Sequence, residues 1–260
     1  MQIQLIRSAT LRIEYAGHTF VIDPDLAAKY TRPSFAGKSL NPLVDLPCLP
    51  VEVLTGSEMV IVSHLHSDHF DLVAQEMLPK DTLIFCQPED KQKIFVKGFR
   101  NVVPINQEIN WKGITITRTL CEHGSGEVLK QMGDASGFVF RSQNESTLYW
   151  AGDTIWCKAV AEVISQYQPD VIIIHSCGAV WGPQVLIVMD AAQTVDLCRA
   201  APNSTVIATH LDSLDHSTVS RQDLREYADL DGIRPKQLRI PLDGEKIVWS
   251  QLLQQRTFGN

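Results

Sequence analysis

Residues 59–71 read MVIVSHLHSDHFD, and the reading of this stretch decides the fold. MVIVS is a short apolar run of the kind that forms a buried strand. Three histidines and an aspartate then fall within six positions, His64-x-His66-x-Asp68-His69, in a chain with 8 histidines in 260 residues. Side chains two apart on a strand point the same way, so His64 and His66 project together just past its end. Asp68 and His69 follow in the turn that opens the next helix. Polar side chains on a loop beyond a rigid strand are a common construction for a site. A helix cap needs only Asp68 and leaves three imidazoles without a purpose.

Neutral imidazole with carboxylate suits zinc first, with manganese or iron as alternatives. No thiolate lies close enough to favour electron-transfer copper or an iron–sulfur cluster. Four donors in one motif are too many for one open catalytic ion and a natural start for two. Further donors stand at other strand ends. His123 follows ITITRTLCE, Asp153 follows LYWAG with Gly152 to turn the chain, and His210 ends TVIATH. Each lies just past an apolar run, as the first cluster does.

Outward from this centre, the N-terminal QIQLIR, TLRIEY and TFVIDP read as a β-meander with a turn at Gly17. Residues 24–57 carry five prolines and no clear period, which predicts a long ordered loop covering a site. Strand and helix signals then alternate. DHFDLVAQEML reads as helix, TLIFC as strand and PEDKQKIFVKGF as helix, while NVVPI, GITITRTL, GFVFRS and TLYWAG read as strands. KAVAEVISQY and MDAAQTVDLCRAA are predicted helices around the strand DVIIIHS. Ser220 and Asp223 are spaced as a capping box for a helix ending near Leu230. QLRIPLDGEKIVWSQ reads as a closing hairpin over LDGE. The pattern predicts two mixed sheets with helices on their outer faces, in a single domain spanning 1–260.

The net charge is −7 and no long run of lysine or arginine occurs, so nucleic acid is not an expected partner. No apolar run reaches the length of a membrane span or resembles a signal peptide. Six scattered cysteines without a C-x-x-C pair read as buried reduced thiols, and the expected location is the cytoplasm. Cys121 and Cys177 stand out only for lying within two residues of a histidine.

H-x-H-x-D-H after an apolar strand, a later histidine, a GDT aspartate and a late strand-end histidine together resemble the metallo-β-lactamase superfamily. The resemblance runs from FVIDPD (20–25) to His210, with its blocks in the family's order. It implies a four-layer αββα sandwich with two divalent metal ions between the sheet edges. One ion would take His64, His66 and His123; the other would take Asp68, His69 and His210, with Asp153 bridging. Asp23 in VIDPD matches the short acidic block that precedes the main motif. GHTFVIDP, NPLVDLP and LYWAGDT are most similar to the ascorbate-6-phosphate lactonase-like branch, which also resembles the N-acyl-phosphatidylethanolamine phospholipase D type.

The chemistry so implied is hydrolysis of an ester, lactone or phosphodiester of a small molecule, anionic ones among the candidates, by a hydroxide shared between the ions, with Asp68 and Asp153 as catalytic carboxylates. Around the centre, His175 reads as a substrate contact or proton donor, and Tyr30, Arg32 and Lys38 as contacts for an anionic group. His216 reads as a substrate contact or a support behind a ligand, and Asp23 and Asp212 as such supports. Trp156 and Trp181 read as packing residues that can line a pocket, and His18 as a structural residue in a hairpin turn. A phosphodiesterase shares every ligand and stays open as an alternative, as does a metal-dependent sensor of a small ligand. A di-iron redox enzyme fits less well, since such relatives typically place glutamate where His66 stands and append a flavin domain. A homo-oligomer is compatible with the sequence.

Overall fold

The computed structural model describes residues 1–249. Strands β1 (Gln2–Arg7), β2 (Thr10–Tyr15) and β3 (His18–Ile22) form the predicted meander. Helix α1 (Pro50–Leu54), β4 (Met59–Val62), α2 (Leu72–Met77), β5 (Leu83–Cys86), α3 (Lys91–Phe95) and β6 (Asn101–Pro104) follow. Next come β7 (Glu108–Trp111), β8 (Ile114–Leu120), α4 (Gly126–Met132), β9 (Ser136–Arg141), β10 (Leu148–Trp150), α5 (Lys158–Tyr167) and β11 (Val171–His175). A small ribbon of β12 (Val180–Trp181) and β13 (Val185–Leu186) precedes α6 (Ala191–Ala200). The described chain closes with β14 (Thr205–Thr209), α7 (Arg221–Leu230), β15 (Leu238–Arg239) and β16 (Lys246–Val248).

Two seven-stranded mixed sheets result, in the orders β16-β1-β2-β3-β4-β5-β6 and β15-β14-β11-β10-β9-β8-β7. The alternation of side chains along each strand explains the layers. Leu11, Ile13, Phe20, Ile22 and Ile61 face inward from the first sheet, meeting Ile116, Phe138, Phe140, Trp150 and Ile173 from the second. The residues between them face outward. Val21, Val60, Val62 and Ile84 pack under Val53, Ala74 and Ile94 of helices α1, α2 and α3. Tyr149, Ile172, Ile174 and Val206 pack under α5, α6 and α7. Strands that are apolar on both faces must be covered on both, and the outcome is an αββα sandwich.

β3 through β6 are mutually parallel, as are β10, β11, β14 and β15. The carboxyl end of a parallel strand is where a following loop can carry side chains into a crevice. The strands β4, β10 and β14 each lead into a loop bearing a histidine or aspartate of the centre, and β11 ends on His175.

Several expectations are corrected. β15 pairs with β14 and β16 pairs with β1, so LDGE links the two sheets and is no hairpin turn; Ser250 and Gln251 of that predicted hairpin lie outside the described residues. The loop 24–57 contains α1 and an antiparallel bridge between Arg32 and Asn41. The predicted helix after Pro88 is a 3-10 turn (Pro88–Asp90) and only the short α3. Helix α2 starts at Leu72, where Asp71 accepts the Ala74 amide hydrogen, so Asp68 and His69 lie in the turn before it. His18 begins β3 and pairs with Glu58. The Ser220–Asp223 capping box forms as predicted.

Candidate metal centre

The seven predicted donors converge at one edge of both sheets. His64, His66, His123 and Asp153 present ligand atoms that all lie within 4.8 Å of one another, and Asp68, His69 and His210 form a second such set. Asp153 Oδ2 stands 3.2 Å from His69 Nε2 and 3.4 Å from His123 Nε2. Asp68 Oδ2 stands 3.4 Å from His210 Nε2 and 3.8 Å from His69 Nε2.

Unusual backbone brings these groups in. Asp23 and His210 both adopt positive φ, at 48° and 65°, in the left-handed region that non-glycine residues rarely occupy. Such strain clusters where a site must be held in place. The amide of His210 is fixed by the carbonyl of Ser8 at 3.0 Å. Gly152 turns at φ 69°, and a Cβ there would lie 2.9 Å from the Trp150 ring. Glycine is therefore what lets the chain deliver Asp153.

The hydrogen bonds behind the ligands fix which nitrogen faces inward. His69 Nδ1 donates to Asp23 Oδ2 at 2.7 Å, and His123 Nδ1 donates to the Ile187 carbonyl at 2.7 Å. The Ser63 hydroxyl donates to Asp23 Oδ2 at 2.7 Å, leaving its lone pair for His64 Nδ1 at 2.9 Å. These three histidines have their Nδ1 protons engaged and turn Nε2 inward, away from those partners. Around His66 Nδ1, the His64 and His123 Nε2 atoms stand at 3.0 and 3.4 Å. One proton on His66 cannot serve both, whereas a cation between them satisfies all three.

The same centre holds buried polar atoms without a hydrogen-bond partner among the described residues: His69 Nε2, His175 Nε2 and both ring nitrogens of His210. Buried orphans of this kind are uncommon in folded proteins. The donor set therefore fits divalent metal ions on its own chemistry. Charge agrees. Burial and neighbouring imidazoles hold His64 well below the usual histidine range, and burial pushes His123 down to about 4. Burial opposes the charges of Asp68 and Asp153, yet nearby His69, with His210 for Asp68 and His123 for Asp153, keeps both well below the carboxylate range. Burial also opposes a charge on His69, but Asp153, Asp68 and Asp23 hold its proton far above the usual range.

The outlying predictions divide. His175 lies at the centre, 1% exposed, with Nδ1 2.5 Å from Asp153 Oδ1. His216 is 7% exposed, packs edge-on against Phe35 at 5.1 Å and flanks His210 at 6.2 Å. Arg32 borders the motif through Ser67, but both its terminal nitrogens bond Asp25, at 3.0 and 3.1 Å. Tyr30 is exposed beneath Lys29. Among the described residues Asp212 bonds none of the candidate ligands; it pairs with Arg221 at 2.9 Å, on the first turn of α7. Trp181 is exposed on the β12–β13 ribbon, and Trp156 packs against the outer core of the second sheet.

Two buried aspartates near the centre escaped the sequence. Asp25 is fully buried between Arg7 and Arg32. Asp215 collects six donors from the covering loop: Ser34 Oγ, the amides of Phe35, Ala36, Lys38 and Ser39, and Asn41 Nδ2. The sequence HLDSLDHS offered both Asp212 and Asp215, and nothing in it distinguishes them.

Fold and donor set together define a metallo-hydrolase of the metallo-β-lactamase type. The Beta-lactamase superfamily domain matches residues 12–211, and the chain belongs to that superfamily. Within it the chain belongs to the UPF0173 family: it is 38% identical over 251 residues to the UPF0173 protein YddR of Bacillus subtilis, covering 94% of this chain and 98% of that one. Two solved structures are similar. An isothiocyanate hydrolase from Delia radicum gut bacteria is 36% identical, with a TM-score of 0.91 and coverage of 96% and 99%. A possible metal-dependent hydrolase from Veillonella parvula is 34% identical, with a TM-score of 0.91 and coverage of 95% and 98%. The protein is a metal-dependent hydrolase.

Proposed function

We propose that the centre holds two divalent cations, one on His64, His66 and His123 and the other on Asp68, His69 and His210, with Asp153 between them. The observation that carries this reading is the set of inward-facing nitrogens whose opposite protons are already engaged. Zinc suits an imidazole-rich donor set best, with manganese or iron as alternatives. When bound, the pair would supply a water of lowered pKa and an electrophilic pull on the oxygen under attack. Asp68, kept ionised by its histidines, is positioned to accept a hydrogen bond from the attacking water and orient it. Asp153 keeps the two donor sets together, and His216 offers a ring nitrogen at the wall beside His210.

The substrate we favour is a small ester or lactone. Arg32, the cation nearest the motif, is neutralised by Asp25, which weakens the case for a phosphodiester, though that remains the alternative. The likeness to an isothiocyanate hydrolase supports a second reading: the central carbon of an isothiocyanate is an electrophile of carbonyl type, open to the same attack by water. All six cysteines are free, which supports a reducing, cytoplasmic setting, and no described helix is long and apolar enough to cross a membrane. The inner core shared by both sheets supports one domain over 1–260.

The test is metal analysis of the purified protein coupled to turnover of lactones, carboxylic esters, phosphodiesters and aryl isothiocyanates. Two cations per chain and turnover are expected, with His66→Ala and Asp153→Ala losing metal and turnover together. Full metal content and full turnover in either variant would overturn the assignment.

A further inference from the structure

His175 is the last residue of β11, and its neighbour β10 runs parallel, with Trp150 opposite Ile173. This register sets His175 beside the turn at Gly152, within reach of Asp153. Its ring is pinned edge-on against Trp150 at 5.4 Å and lies 4.8 Å from the ring of His210. Two roles fit a buried histidine here: an eighth ligand, or a partner that orients a ligand.

Distance assigns Nδ1, while Nε2, without a hydrogen-bond partner among the described residues, is what variants must separate. Two atoms each about 2.0–2.1 Å from one tetrahedral ion lie about 3.3 Å apart. The contacts of Asp153 Oδ2 with His69 and His123, at 3.2 and 3.4 Å, match that separation. So does the contact of His210 with Asp68 at 3.4 Å. His175 Nδ1 lies 2.5 Å from Asp153 Oδ1, which is hydrogen-bond distance and too close for two ligands of one ion. The two oxygens of Asp153 are thus divided: Oδ1 faces His175, and Oδ2 faces the histidines.

We infer that His175 is a positioning residue that holds Asp153 Oδ1 by a hydrogen bond, so that Asp153 offers the cations Oδ2 alone. This rests on the two-cation reading above and goes beyond it, because it assigns the two carboxylate oxygens separate tasks. Without His175, Oδ1 is released, and the carboxylate can rotate or chelate. Partners of this kind behind a ligand typically change metal affinity 10–100-fold when removed.

The test compares wild type, His175→Ala and His175→Asn in zinc titrations against a chromophoric chelator, with thermal melts to verify folding. The asparagine amide can place an N–H where Nδ1–H stood; it cannot replace Nε2. Expected are two cations bound in every case, affinity about 10–100-fold weaker for His175→Ala, and near-wild-type affinity for His175→Asn. Loss of one whole cation in both variants would make His175 a ligand and overturn the inference. Unchanged affinity in His175→Ala would overturn it equally. If His175→Ala does not fold, the asparagine variant decides: near-wild-type affinity supports the inference, and a tenfold loss overturns it. A wild-type chain that binds no cation would remove the two-cation reading itself, which the variant comparison alone would leave standing.

Discussion

Asp23 stands directly behind His69, its Oδ2 accepting the Nδ1 hydrogen at 2.7 Å while its Oδ1 accepts the Ser63 amide at 2.8 Å. The same Oδ2 receives the Ser63 hydroxyl, which in turn supports His64. One buried carboxylate thus orients imidazoles in both donor sets. Asp23→Ala should lower affinity for both cations about 10–100-fold while the chain still folds. Competition titration measures it. A fall confined to one cation would mean that Ser63 holds His64 without help from Asp23.

Gly152 governs how Asp153 arrives. In Gly152→Ala the added methyl would meet the Trp150 ring at 2.9 Å and the Ser136 carbonyl at 3.0 Å, in a left-handed conformation. The backbone strain alone amounts to about 1–3 kcal/mol, and a fully buried tryptophan has little room to yield. The variant should unfold at lower urea and take up less metal. Stability and metal content both equal to wild type would show that the turn tolerates a side chain.

Arg7 lies at 0% exposure with Asp25 at 3.4 Å, and Arg32 completes the group. Removing one partner of a buried ion pair leaves the other charge uncompensated, a loss of about 3–5 kcal/mol. Asp25→Ala should therefore be among the most destabilising substitutions near the site. Arg32→Ala separates the roles considered for that residue. As a partner of Asp25 it should lower stability with little effect on KM, whereas a substrate-binding arginine would raise KM at unchanged stability.

The convergence of the candidate donors could be read from sequence because they stand just beyond apolar runs of strand length, where side-chain direction follows from local geometry. His175 was visible for the same reason, yet its bond to Asp153 depends on how β10 and β11 align. LDGE has the composition of a hairpin turn, but the pairing of Leu238 with Val206 and Ile247 with Ile3 overrides that local preference. Helix α4 and strand β7 are short, and neither carries a strong signal: α4 lacks a side-chain cap, and β7 is a four-residue edge strand. Asp215 was invisible because its partners are mostly backbone amides, 174 to 181 residues away. The left-handed backbone at His210 has no sequence signature at all.

Asp215 ties the covering loop to the segment after His210, and Phe35 on that loop buttresses His216. Burial opposes the Asp215 charge, but hydrogen bonds from Ser34, Asn41, Phe35 and Ser39 outweigh it and hold the carboxyl far below its ordinary range. A folded-state pKa below the unfolded one makes this contribution fully present above the unfolded value of about 3.9. It is lost as pH falls through the lower folded value. Asp215→Asn removes the charge, and a hydrogen bond to a charged acceptor contributes about 1.5–3 kcal/mol net of the bonds to water it replaces. The variant should be less stable than wild type at pH 6, and the gap should narrow progressively below about pH 4. Urea unfolding at both pH values measures the difference, and limited proteolysis at pH 6 should cut first between residues 34 and 39. A gap that stays constant down to pH 3, or a loop no more accessible than in wild type, would show that Asn41 and the Arg32–Asn41 bridge hold the cover without the carboxylate.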